Sequence, residues 1–199
     1  MVRPKELPGQ RGRHSRKRLI LPVFIGLIMV MSIFGYIIGQ DSSGTQQDAG
    51  GKTVGQFTFQ QTAAGWTTTV DGRELSFRYL PDELSDVRLG ASTSDILRRE
   101  KVYLTRDPTK DYGLGERDFY LNLRPILNIQ LACTTDVAEC SNLPLKTCID
   151  GNALVAIVQL EAADRNEVLT EDHCVIIRGD GVYITKAIDK LVYSYYAIG

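Results

Sequence analysis

Residues 154–160 read LVAIVQL. The run is nearly all apolar and holds several β-branched side chains. A strand of this kind is buried on both faces, so it belongs at the centre of a covered sheet. Upstream, Lys101 to Arg106 (KVYLTR) reads as a second strand, closed by Asp107-Pro108. Between the two, Glu116 to about Asn128 reads as a helix with Phe119, Leu123, Ile126 and Leu127 near one face. Pro125 kinks or ends that helix early. Downstream, Ala163 to Asn166 turn the chain, and Val168-Leu169-Thr170 and Cys174 to Arg178 supply further strand pieces. A last helix starts near Asp180 or Gly181, with Ile184, Ala187, Ile188, Leu191 and Tyr195 at helical spacing.

Further toward the N-terminus the pattern changes to short β-rich runs. Phe57-Thr58-Phe59, Trp66 to Val70 and Leu75 to Tyr79 are separated by a turn near Ala63–Gly65 and by Asp71-Gly72. An Asp-Gly pair between such runs marks a hairpin, because glycine accepts positive φ. The spacing predicts a three-stranded antiparallel meander ended by Pro81, then a short helix over Ser94 to Glu100 capped by Ser92, Thr93 or Ser94. The expected fold class is α/β or α+β: an N-terminal β-meander, then β-α-β-β-β-α with a mixed sheet, preceded by one transmembrane helix.

The helix is expected from the charge distribution. The 199 residues carry a formal net charge of −1. Residues 1–18 hold seven Lys/Arg and one acid, residues 19–39 hold no charge, and residues 40–199 hold 16 Lys/Arg against 23 Asp/Glu. Leu19 to Gly39, LILPVFIGLIMVMSIFGYIIG, has 16 apolar residues among 21. As a helix it would span roughly 30 Å, the thickness of a hydrocarbon core. Arg11, Arg13, Arg16, Lys17 and Arg18 precede it, which favours a cytoplasmic N-terminus and an extracytoplasmic C-terminal domain. The apolar run is longer than a signal peptide's, and Ile37-Ile38-Gly39-Gln40 is a poor cleavage site. The expected division is a basic cytoplasmic tail (1–18), a transmembrane helix (19–39), a flexible linker (40–52) and an extracytoplasmic domain (53–199). The tail suits anionic lipid, and it lacks the interleaved aromatics of a nucleic-acid binder, so no nucleic acid is expected.

All four cysteines, Cys133, Cys140, Cys148 and Cys174, fall in the outer domain. An even number on the oxidising side of a membrane fits disulfides. Three pairings exist, of which Cys133–Cys140 with Cys148–Cys174 is preferred. The gaps of six, seven and 25 residues do not suit a tetrahedral zinc site, which uses closer pairs.

Signals for chemistry are sparse, and no catalytic, cofactor or metal residue is expected. His173 precedes Cys174, but adjacent strand residues point to opposite faces, which separates a Cys–His dyad. Gly113-Leu114-Gly115-Glu116-Arg117-Asp118 has the start of a dinucleotide loop, yet Asp118 takes the third glycine position and the acids would repel a pyrophosphate. Asp180 of Gly179-Asp180-Gly181 fits a helix cap better than an anion site. Asp82-Glu83, Asp107 and Glu171-Asp172 lack the spacing of a calcium loop.

The basic tail with its apolar run, KVYLTRDP, CSNLPLKTC and CVIIRGDGVYITKAIDKLVYSYYAIG resemble a group of archaeal single-pass membrane-anchored proteins of unknown function. The resemblance covers most of the chain and implies single-pass placement and the Cys148–Cys174 tie, but no activity. The expected function is a non-catalytic, membrane-anchored binding or assembly module with a protein partner. The rivals are an extracytoplasmic hydrolase of the envelope and an accessory subunit of a membrane complex.

Overall fold

A computed structural model of the chain describes residues 51–199. The tail 1–18, the expected membrane helix 19–39 and nearly all of the linker 40–52 lie outside the described residues. Lys52 belongs to the first strand rather than to the linker.

The meander has four strands, β1 (Lys52–Val54), β2 (Phe57–Thr62), β3 (Gly65–Val70) and β4 (Arg73–Phe77), antiparallel and in chain order. Asp71 and Gly72, at φ 50° and 76°, make the tight turn that pairs Val70 with Arg73. One face is buried: Phe59, Thr68, Val70, Leu75 and Phe77 point inward.

A separate five-stranded sheet follows. It is built from β5 (Lys101–Arg106), β6 (Ile129–Cys133), β7 (Val155–Ala162), β8 (Glu167–Glu171) and β9 (Cys174–Gly179), in the order β6-β5-β7-β9-β8. Four strands are parallel, and β8 is antiparallel to β9 at one edge. The LVAIVQL run forms most of β7, the middle strand, with Ala156, Ile157 and Val158 all fully buried. The α-helices among the described residues are α1 (Thr93–Ile96), α2 (Gly115–Leu123) and α3 (Gly181–Tyr196).

The expected fold class is therefore corrected. The described chain is a mixed α/β domain with two sheets, and its second half runs β-α-β-β-β-β-α. The missing strand is β6. Its residues directly follow the expected helical run to Asn128, but α2 stops at Leu123 because Pro125 has no N–H for a further turn. That frees Ile129–Cys133 to pair with β5. Among the described residues no helix is long and apolar enough to cross a membrane.

The helices cover one face of the large sheet. Val102, Leu104, Val158, Leu160, Val175 and Ile177 share a core with Phe119, Ile184, Ile188 and Leu191. Among the described residues no α-helix covers the other face. There Ile157, Cys174 and Ile176 pack with Tyr103, Cys148 and Leu169. Part of the cover is the irregular segment between β6 and β7. The Lys146 carbonyl accepts a 2.7 Å bond from Thr105 Oγ1, and the Cys148 N–H donates to Gln159 Oε1 at 3.2 Å.

Two disulfides staple that segment. Cys133–Cys140 joins it to the end of β6, and Cys148–Cys174 joins it to the start of β9. A long polar loop buries little apolar area, so restricting the unfolded chain matters more here than in the helical layer. Replacing Cys148 and Cys174 together by alanine is expected to destabilise the domain by about 3.5 kcal/mol, and the shorter Cys133–Cys140 loop by about 2.4 kcal/mol. Denaturant unfolding checks both. Equal losses from the two pairs would contradict the loop-length argument.

Candidate binding groove

Helix α3 begins at Asp180, whose side chain accepts the Tyr183 N–H at 2.7 Å. It ends at Ala197, which adopts the left-handed conformation at φ 54°. The helix buries more than one stripe. Ile184, Ala187, Ile188 and Leu191 belong to the expected apolar face, but Thr185, Asp189, Val192 and Tyr193 are buried too. The second set is explained by the meander. Phe77 stacks on Tyr193 with ring centroids 4.0 Å apart, and Phe59 meets the same ring edge-on at 5.9 Å.

A polar clasp holds this junction where β4 ends. Asn122 of α2 accepts the Ser76 N–H at 3.0 Å and donates to the Ser76 carbonyl at 2.8 Å. These bonds satisfy backbone groups on the edge of β4. Arg78 forks onto Asp118 of α2, Nε to Oδ2 at 2.7 Å and Nη2 to Oδ1 at 3.1 Å. Hydrogen bonding to Asp118 holds the guanidinium still more firmly protonated than usual. Asp189 Oδ2 accepts two backbone N–H groups, Arg78 at 2.8 Å and Tyr79 at 2.9 Å. Asp189 Oδ1 is buried without a partner among the described residues. Burial pushes the Asp189 carboxyl up to about 7, against the pull of its two N–H donors. Tyr193 donates to the Tyr79 carbonyl at 2.8 Å, and burial raises its phenol well above the usual value.

Beyond the clasp, Pro81–Leu84 form a short turn closed by the Leu80 N–H on Glu83 Oε2 at 2.7 Å. A strap from Ser85 to Ala91 then passes α3. Lys186 holds Asp86 at 3.0 Å, and Lys190 donates to the Leu84 carbonyl at 2.8 Å. The Lys186 bond keeps the Asp86 carboxyl below the usual range. Between the strap and the C-terminal half of α3 lies an open groove of about 770 Å³. Leu84, Val87, Tyr193 and Ile198 line it with Arg88 and Lys190, and Gly199, the last residue of the sequence, lies beside them.

The residues singled out by sequence lie elsewhere. The four cysteines are all in disulfides. His173 sits half-buried in the β8–β9 hairpin, its Nδ1 without a hydrogen-bond partner among the described residues, and Cys174 beside it is disulfide-bonded. Gly113 has φ +62°, and a Cβ there would lie 2.5 Å from the Gly181 carbonyl oxygen. The glycine loop thus lets the starts of α2 and α3 approach closely. Its acids pair inward, Glu116 with Arg106 and Asp118 with Arg78. Two of the three acidic stretches are also engaged, while Glu171 and Asp172 are exposed. Lys52 bonds Asp82 and lowers its carboxyl, and the Thr109 backbone N–H does the same for Asp107. Among the described residues no group of three or more His, Cys, Asp or Glu could hold a metal ion.

The clasp residues Arg78, Asp118, Asn122 and Asp189 were not expected from sequence. One signal was present: Asp189 directly follows Ile188, and Leu191 and Val192 come two and three residues later, so a carboxylate stands beside the apolar stripe of the helix. No protein-family model, no curated protein and no solved structure matches this chain.

Proposed function

We propose that the chain is a binding or assembly module that works outside the cytoplasm. It is held at the membrane through the uncharged residues 19–39, with the basic tail inside. The groove between the 85–91 strap and α3 is its binding seat. Its combination of an apolar floor with two cationic side chains carries the reading. The two disulfides are compatible with an oxidising compartment. Catalysis by the clasp is the weaker reading. Asp118 is occupied by Arg78, and Asp189 by two backbone N–H groups, and neither lines the groove.

A photoreactive phenylalanine tests this, placed at Ser194 in the groove or at Thr69 on the exposed face of the meander. In intact cells producing the full chain, Ser194 is expected to give one adduct of defined mass that Thr69 does not give. External protease is expected to remove the domain. Equal adducts at both positions would overturn the groove as the seat, and protection of the domain until lysis would overturn its placement outside.

A further inference from the structure

We infer that the exposed face of α2 docks on a phospholipid surface, the outer leaflet of the bilayer that holds the chain. This rests on the reading of residues 19–39 as the membrane anchor, and not on the groove. The make-up of the face is the first argument. The inner side of α2 is buried through Phe119, Asn122 and Leu123, so a helix of a free-standing domain would turn a polar side outward. Here the outward side is mixed. Leu114, Arg117, Leu121 and Arg124 follow at steps of three and four residues, from the N-cap to the C-cap, and all four are exposed. Leu114 is 45% exposed and Leu121 54%, and Pro125 extends the apolar surface past the helix end. Neither arginine forms a salt bridge among the described residues. Arg124 lies over the Tyr120 ring at 5.1 Å, and the two line an open depression of about 330 Å³ with Leu121 and Pro125.

The chemistry of that stripe selects the occupant. A guanidinium pairs with phosphate oxygens through two N–H donors. Leucines between the arginines enter the acyl boundary while the longer side chains keep their charge at the headgroups. Residues 40–199 carry 16 Lys/Arg against 23 Asp/Glu, so a phosphate surface admits this domain by a basic face. Reach is the second argument. Twelve residues separate Gly39 from Lys52, and even fully extended they span no more than about 45 Å. A surface tied to its target at that range needs only a weak contact. The face offers a weak one: it has five side chains, where a stable protein interface engages roughly 20–30 residues a side.

The test uses the full chain in nanodiscs of phosphatidylcholine and phosphatidylglycerol in equal parts. A photoreactive phenylalanine is placed at Leu121, at Thr69 on the meander, or at Ile149. Ile149 is 93% exposed and belongs to the segment between β6 and β7, so it controls for mere apolar exposure. Leu121 is expected to give phospholipid adducts about tenfold above the other two positions. R117E combined with R124E, at exposed side chains without ion-pair partners, is expected to lower the Leu121 yield about tenfold. Equal phospholipid adducts at Leu121 and Ile149, or an unchanged yield in R117E/R124E, would overturn the inference. So would a Leu121 adduct to a second copy of the chain in place of lipid. The two levels separate: a chain that leaves the discs overturns the anchor and the docking with it. A chain that stays in the discs without excess labelling at Leu121 overturns the docking alone.

Discussion

Replacing Arg78 by alanine is expected to destabilise the domain by about 3–5 kcal/mol, the range for removing one partner of a buried ion pair. The Asp118 side chain is only 3% exposed, while Arg78 reaches partway to water at 22%. The asymmetry decides which loss is worse. Without the guanidinium, both Asp118 oxygens lose their side-chain donors inside the protein, and the carboxylate stays buried. Arg78 also donates to the Ala64 carbonyl in the β2–β3 turn, so the same substitution frees that hairpin. Lysine is not an adequate replacement, because a single ammonium cannot match the two-pronged geometry. Removing Asp118 as well should restore part of the stability, since no buried charge then remains. Chemical denaturation of the R78A, D118A and R78A/D118A variants measures the coupling. A loss below about 1 kcal/mol for R78A would place this pair among ordinary surface salt bridges and sink the argument.

The second large effect is a pH dependence of opposite sense to that of most acidic groups. Asp189 has a carboxyl raised from 3.8 to about 7 by burial. Between these values the folded protein holds a proton that the unfolded chain has released. Stability from this group is fully present below the unfolded value. It falls by about 1.4 kcal/mol per pH unit as pH rises toward 7, then levels off. The whole window amounts to about 4 kcal/mol. Asp82, Asp86, Asp107 and Asp150 have lowered carboxyl values and act the other way, below the window, where acid weakens their bonds. Asp189→Asn keeps an acceptor for the Arg78 and Tyr79 N–H groups and removes the charge. Its stability curve is expected to lie flat where the wild-type curve declines. Urea midpoints from pH 4 to pH 8 read the difference, and parallel curves for the two proteins would refute the assignment. The neighbouring charges refine the expectation. Asp118 raises the Asp189 value and Arg78 lowers it, so R78A should extend the decline to higher pH.

Both effects arise at a place that local patterns could not reveal. The hairpin at Asp71-Gly72 is legible because two residues with positive φ are a local requirement. The middle strand is legible in LVAIVQL because burial on both faces removes alternation. The cap at Asp180 and the first apolar stripe of α3 are legible for the same reason: each depends on residues within one turn of helix. β6 is not, since IQLAC gains its strand character only by pairing with β5, across α2. The number of sheets is not legible either. Nothing in the runs of the meander says that they stay apart from the later strands rather than join them.

The groove was harder still to anticipate. Arg88 and Lys190 are separated by about a hundred residues of chain, and each reads alone as a solvated charge. The strap carries no periodicity, so no element could be assigned to it. Asp189 offered a clue, but its partners are backbone groups of Arg78 and Tyr79, which have no sequence signature. Local spacing therefore determines where strands, turns and helix starts form, together with the separation of charge between the tail and the acidic remainder. Tertiary packing decides which sheet each strand joins, which carboxylate loses water, and where two distant cations flank one open groove. The reason is the range of the interactions: dihedral preference and amphipathic period act over a few residues, whereas desolvation and convergence depend on chain segments brought together only by folding.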